Sequence, residues 1–154
     1  LLREALEVAV AERAQMRHNR FGVANWFIRL ALEDRTIPVF GSGRYLRDFV
    51  YVGDAVNAMM LAAVCEPAYG EVFNVGNDRA ASFRELAETV VAVAGSGRWE
   101  VAPFSPERAA QEPGDFYSNI RKIRRIVGWE PQTSLEDGVR RTVDFYRRHR
   151  EHYW

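Results

Sequence analysis

The segment 37–52 constrains the chain most. Ile37-Pro38-Val39-Phe40 reads as a short strand, Gly41-Ser42-Gly43-Arg44 as a turn, and Leu46-Arg47-Asp48-Phe49-Val50-Tyr51-Val52 as a second strand rich in aromatic and β-branched residues. Pro38 has no backbone donor, which places the first strand at an edge. Leu46 and Arg47 alternate, so their side chains point to opposite faces. A strand, a glycine turn and a strand carrying an arginine just past the turn form a rigid frame, and the remaining elements must pack around it.

Those elements are mostly helices. Residues 1–14 and 22–33 carry helical spacing, the second with Val23, Trp26, Phe27 and Leu30 on one face. A polar loop, 15–20, separates them. Asp54 is placed to cap a helix with Val56, Met59, Met60 and Ala63 turned inward. Residues 71–75, closed by Gly76, read as a third strand, and Ser82-x-x-Glu85 as a capping box opening helix 83–94. Residues 98–104 are strand-like and 105–118 a loop. Asn119 and Gly128 bracket a short helix ending at Val127. Thr133-x-x-Glu136 opens a last helix, with Leu135, Val139, Val143 and Tyr146 inward. The expected fold class is mixed α/β, since this order departs from the strict alternation of a complete doubly wound sheet.

Composition narrows the function. The 154 residues are 47% hydrophobic and 27% charged, a balance suited to one globular domain. Formal net charge is zero, which argues against a broad nucleic-acid-binding face. No apolar run approaches the ~18 residues of a membrane span. Leu1 stands where an initiator Met would, the first residues lack signal-peptide order, and an excerpt or a processed product is expected. The lone Cys65 lies in an apolar helical run and reads as a structural thiol, in keeping with a reducing, cytoplasmic setting.

Several chemistries lack their residues. None of the eleven glycines falls in G-x-G-x-x-G or G-x-x-G-x-x-G spacing: Gly41-x-Gly43 continues to Leu46, and Gly95-x-Gly97 to Glu100. Lys122 is the single lysine and follows an arginine, so there is no P-loop. His18, His149, His152 and Cys65 offer no metal-ligand spacing, and no serine sits in G-x-S-x-G.

Arg47 has two readings on spacing alone. A strand-held guanidinium is a fork for two phosphate oxygens, and it is equally a partner for a carboxylate. A resemblance bears on this choice. The stretch F-G-x-G-x-x-x-R-D-F-V-Y-V-x-D from Phe40 to Asp54 is one of several matching pieces. The others are Arg20-Phe21 through Ala31-Leu32, Glu71-Val72-Phe73-Asn74-Val75-Gly76, Gly114-Asp115-Phe116-Tyr117-Ser118-Asn119 with Lys122-Ile123, and Gly128-Trp129-Glu130-Pro131 with Thr133-Ser134-Leu135-Glu136-Asp137-Gly138. In that order they resemble the C-terminal, substrate-binding half of the NAD-dependent sugar-nucleotide epimerases and dehydratases, the extended short-chain dehydrogenases. The resemblance covers about residues 15–152.

The resemblance implies a smaller domain that closes over a nucleoside-diphosphate sugar, with NAD and a Tyr-x-x-x-Lys pair held by a Rossmann half. A Tyr paired with Lys122 would stand at 118, where this chain has Ser118. By resemblance Arg47 grips the diphosphate. Pro38, Val39 and Phe40 lie along the nucleobase, reading it through backbone groups and an aromatic face. Asp115 accepts from a ribose hydroxyl. Asn74 is expected to hold a turn, and Trp26 and Trp129 to be core. One departure concerns Glu112, which stands where many relatives carry a second phosphate-gripping arginine; Arg44 or Arg108 is then a candidate to compensate. The other concerns the region before Gln15, where a family strand and turn are missing. Helix 1–14, a segment of uncertain origin, precedes a sugar-nucleotide-binding domain over 15–154.

The expected function is therefore the sugar-nucleotide-binding portion of such an enzyme, partnered by a missing Rossmann half or by itself. The alternative is a stand-alone nucleotide-binding or self-associating domain without chemistry. No cofactor is expected in this chain, and NAD only in a full-length relative. Calorimetric titration with NAD should give no saturable heat; micromolar binding would contradict the missing glycine turn.

Overall fold

Ile37 and Val39 are fully buried while Thr36, Pro38 and Phe40 are half-buried, the period-two pattern of a strand with one face on a core. The computed structural model describes residues 22–153. In chain order the elements are α1 (Val23–Leu32), β1 (Thr36–Phe40), β2 (Leu46–Arg47), α2 (Val52–Val64), β3 (Ala81–Ser82), α3 (Phe83–Ala94), β4 (Arg98–Ala102), α4 (Pro106–Gln111), α5 (Arg121–Val127) and α6 (Leu135–His149). Short 3-10 turns follow α2 and α6. The expected helix 1–14 and loop 15–20 lie outside the described residues.

There are two small sheets among these residues. β1 pairs in parallel with β4, Thr36 opposite Arg98 through Phe40 opposite Ala102. β2 pairs antiparallel with β3, Leu46 opposite Ser82 and Arg47 opposite Ala81. Pro38 faces Glu100 in a two-stranded pair, so β1 has the open edge its proline calls for.

The main core lies where α1 and α3 cover β1 and α6 packs across both helices. Phe27, Ile28, Leu30 and Ala31 of α1 meet Ile37 and Val39, Leu86, Ala87, Val90 and Ala94 of α3, and Val139, Val143 and Tyr146 of α6. Their positions repeat every three or four residues along each helix, the stripe expected of a core-facing surface. Ser82 caps α3 by accepting from the Glu85 N–H at 3.1 Å. Gly95 closes α3, and Arg147 of α6 donates to the Ala94 carbonyl at 2.7 Å, tying the two C-terminal ends together.

A second, smaller core joins α2 to α5 and the loop after it: Ala58, Ile120, Ile123 and Trp129. Asp54 organises it. Its Oδ2 accepts from the N–H groups of Gln132 (3.2 Å) and Thr133 (2.9 Å), while its carbonyl accepts from Trp129 Nε1 at 3.0 Å. The carboxylate expected to cap its own helix instead satisfies a loop 79 residues away. Trp129 is core, as expected, with 1% of its surface exposed.

Other expectations are corrected. The second strand shrinks to Leu46–Arg47, because residues 48–50 bond to loops: Asp48 accepts from the Ser118 N–H, and the Phe49 carbonyl accepts from Asn77. Residues 71–75 form no strand, and among the described residues none runs beside them. Val56, Met59, Met60 and Ala63 face outward. The loop 105–118 contains α4, started by Pro106 and capped by Ser105, whose Oγ accepts from the Arg108 N–H. The last helix starts one residue later than expected, capped by Ser134.

Replacing Asp54 tests this network. Asp54→Ala leaves the buried Thr133 N–H and the part-buried Gln132 N–H without their acceptor and should cost about 1–3 kcal/mol in urea unfolding. Asp54→Asn keeps an acceptor at the same place and should cost roughly half as much.

Candidate functional site

The glycine turn after β1 is shaped by packing. A Cβ on Gly41 (φ 65°) would come within 2.4 Å of Phe104, and one on Gly43 (φ 67°) within 2.5 Å of Val39. No other residue fits, so the turn folds tightly and delivers β2 alongside β3. The Arg84 N–H donates to the Gly43 carbonyl at 3.0 Å, fixing the turn to the start of α3.

Arg47 lies just beyond this turn, held from both sides. Ala81 faces it in β3, and Phe116 forms a bridge on its other edge. The Phe116 N–H donates to the Leu46 carbonyl at 3.0 Å, and the Leu46 N–H to Asp115 Oδ1 at 2.9 Å. The guanidinium lies over the Phe83 ring, 5.2 Å from its centre. Nη1 donates to the carbonyls of Leu46 (2.7 Å) and Gly114 (2.6 Å), and Nη2 to Glu112 Oε1 at 2.6 Å. Arg47 and Glu112 expose only 18% and 15% of their side chains.

The five N–H donors of a guanidinium thus serve three acceptors among the described residues. Both readings of Arg47 have a physical basis here. The side chain is a carboxylate's partner, and it is also a rigid cation on a strand with donor capacity remaining.

The structure brings Arg47 and Asp115 together around β2, joined by Leu46. Asp115 is exposed, with Oδ1 already accepting from backbone. Pro38 and Phe40 lie on the half-buried face of β1. The Val39 side chain is fully buried, so any ligand contact from Val39 runs through its backbone. The Phe40 ring stacks on Trp26 (6.4 Å) and on Phe104 (5.9 Å), and Arg108 lies 4.9 Å from its centre. Arg44 is exposed in the turn, its N–H donating to Ser42 Oγ. Asn74, expected to hold a local turn, instead donates to the Asn119 carbonyl 45 positions away, at 3.5 Å.

Sequence reasoning missed the Arg47–Glu112 pair and the Phe83 platform. Glu112 reads only as a departure from the family's second arginine until the fold places it 2.6 Å from Arg47, 65 positions earlier in the chain. The opposite charges were the available signal.

Three of the glycines serve packing: Gly41 and Gly43 are closed in by Phe104 and Val39, and a Cβ on Gly97 would lie 2.9 Å from the Ala31 backbone. Lys122 donates to Glu71 at 2.6 Å, and that bond holds the Glu71 carboxyl below its usual range. Among the described residues no group of three or more His, Cys, Asp or Glu side chains is placed to hold a metal, and no helix is long and apolar enough to cross a membrane.

This mixed α/β arrangement of short strands and packed helices is that of the extended short-chain dehydrogenases. The family model described as GDP-mannose 4,6 dehydratase matches residues 14–142, and the chain belongs to this family of NAD-dependent sugar-nucleotide epimerases and dehydratases, covering a C-terminal portion. UDP-glucuronic acid decarboxylase 1 of Xenopus tropicalis is 33% identical over 97% of this chain and 35% of its own length. UDP-glucose 4-epimerase of Mycolicibacterium smegmatis is 36% identical over 84% of this chain and 40% of its own. The solved epimerase Mth375 of Methanothermobacter thermautotrophicus matches with a TM-score of 0.77 at 26% identity, over 84% of this chain and 38% of that one. UDP-glucose 4-epimerase of Thermotoga maritima, solved with UDP-glucose, gives 0.70 at 29%, over 86% and 41%. The chain spans about 35–40% of the length of the curated relatives.

Proposed function

We propose that this chain is the nucleoside-diphosphate-sugar-binding portion of an NAD-dependent sugar-nucleotide epimerase or dehydratase, and that it performs no chemistry alone. The observation that carries the reading is Arg47: a cation fixed on a strand between β3 and Phe116, backed by an aromatic ring, with N–H donors beyond those its neighbours use. A diphosphate offers paired oxygens that match a guanidinium fork. The relatives named for UDP-glucose and UDP-glucuronic acid supply the ligand class. Asp115, exposed beside β2, is the acceptor for a ribose hydroxyl. Pro38, the Val39 backbone and Phe40 line the base side, with Arg44 at its rim. The cytoplasmic setting belongs to the same reading, supported by the lone thiol of Cys65.

Orientation is this portion's contribution. Holding the diphosphate rigidly fixes the sugar relative to a reacting centre supplied elsewhere, and such positioning lowers a barrier without any group here exchanging a proton. Titration with UDP, dTDP and GDP tests the reading. Arg47→Ala should weaken the nucleotide that binds by about 1.5–3 kcal/mol, and Arg47→Lys should restore only part, because an ammonium is a point charge. An affinity untouched by Arg47→Ala makes the residue a structural ion-pair partner.

The proposed partner is argued from α2. Val52, Val56, Met59, Met60 and Val64 stand on its outer surface, Met59 and Met60 two-thirds exposed and Val64 77% exposed. An apolar stripe of this kind marks an interface. The NAD-binding half is the proposed occupant, because the relatives extend over more than twice this chain's length. Self-association is the reading for the chain alone. Sedimentation should show concentration-dependent association that Met59→Glu with Val64→Glu reduces; a strictly monomeric species at high concentration contradicts it.

A further inference from the structure

The segment that carries Glu112 is lightly attached. None of the residues of α4 is buried, and Arg108 reaches back only to lie over Phe40, beside the Phe104 contact. Beyond Glu112 the chain changes character. Gly114 adopts φ 79° with open space around it, and from Asp115 onward the backbone is stapled to β2 by the Asp115–Leu46 and Phe116–Leu46 bonds. The Glu112–Arg47 ion pair is therefore the charged anchor of a strap, 106–112, hinged next to a fixed segment.

That anchor occupies the cation proposed above to hold phosphate. A carboxylate and a phosphate oxygen present the same chemistry to a guanidinium: an anionic acceptor at hydrogen-bond distance. With Glu112 in place, the Arg47 charge is neutralised in a shielded setting, where the pairing is strong and the attraction for a further anion is weak. A diphosphate brought beside both groups would also meet Glu112 as a like charge.

We propose that Glu112 is an internal substitute for substrate phosphate: a nucleoside diphosphate enters by displacing it from Arg47, the strap 106–112 swings about Gly114, and residue 112 thereby sets the affinity of the site. The proposal rests on the diphosphate reading of Arg47. Exchange of one anion for another leaves the covalent structure untouched and requires no proton transfer.

Calorimetry on the full chain tests it, with UDP and inorganic pyrophosphate as probes. Glu112→Gln keeps the side-chain shape and should tighten UDP binding roughly tenfold, the scale of one charge-assisted hydrogen bond. Adding Arg47→Ala should abolish that gain. Glu107→Gln removes the same charge from α4 without touching Arg47 and should change affinity little. In wild-type chain, saturating UDP should speed amide exchange over 106–112 and leave 115–116 unchanged.

Three results would overturn the displacement. If Glu112→Gln leaves affinity unaltered while Arg47→Ala still weakens wild-type binding, the phosphate site stands and the gate falls. Glu107→Gln matching Glu112→Gln would reduce the effect to bulk charge. Failure of both wild-type and Glu112→Gln chains to bind either probe at millimolar concentration would remove the gate and the phosphate reading together.

Discussion

The parallel pairing of β1 with β4 is the constraint around which the rest is arranged. Two strands alone are marginal in water, so the pair exists because α1 and α3 cover it, with α6 packed across those helices. Ile37 and Val39 are the points where that cover closes, and both are fully buried beneath α1 and α3. The same burial sets the path of the chain after β1. Val39 fills the space a side chain at Gly43 would need, and Phe104, just past β4, fills that at Gly41. The turn is therefore tight, β2 emerges against β3, and Arg47 is held on both edges. Core packing and the orientation of the candidate site are one construction.

Much of this was legible from local chemistry. The capping box at Ser82, the glycine ending α5 at Gly128, the inward set Val139, Val143 and Tyr146, and the edge position of Pro38 all depend on residues within a turn or two of each other. The misreadings share a different cause. Asp54 looks like a cap because carboxylates suit helix starts, yet two N–H groups at 132 and 133 claim it. Residues 48–50 have strand composition, but Asn77 and Ser118 bond to them in place of a neighbouring strand. In each case a contact distant in sequence overrides a correct local preference.

The site follows the same division. Arg47 stood out by its strand position and Asp115 by the family resemblance, and the fold joins the two through Leu46. What spacing left open was the competition for Arg47. A guanidinium on a strand attracts any anion within reach, and the nearest one belongs to the chain itself. Phe83 beneath it favours a cation whichever anion is bound, since the ring faces the guanidinium and leaves its donors to others. On the displacement proposed above, anion exchange at this position would disturb the surroundings little, because the ring and the two backbone carbonyls would persist while only the carboxylate changed.

The two sides of the chain carry opposite messages. Around β1 the large apolar side chains of the core are buried, with Val101 of β4 left half exposed. Along α2 the stripe from Val52 to Val64 stays exposed, and in sequence it leads to residues 71–75, whose β-branched and aromatic pattern has no strand beside it among the described residues, with Val72 82% exposed. A helix with an open apolar face and a strand-like segment without a ladder are each unfavourable in water for different reasons, one for exposed hydrocarbon and the other for unpaired backbone groups. A single covering element that offered both an apolar surface and a strand edge would satisfy them at once. A second copy of this chain offers the apolar surface of its own α2. A sheet-containing half of the kind expected for the longer relatives offers both, and this is the physical reason to favour it as the natural occupant on the reading proposed above.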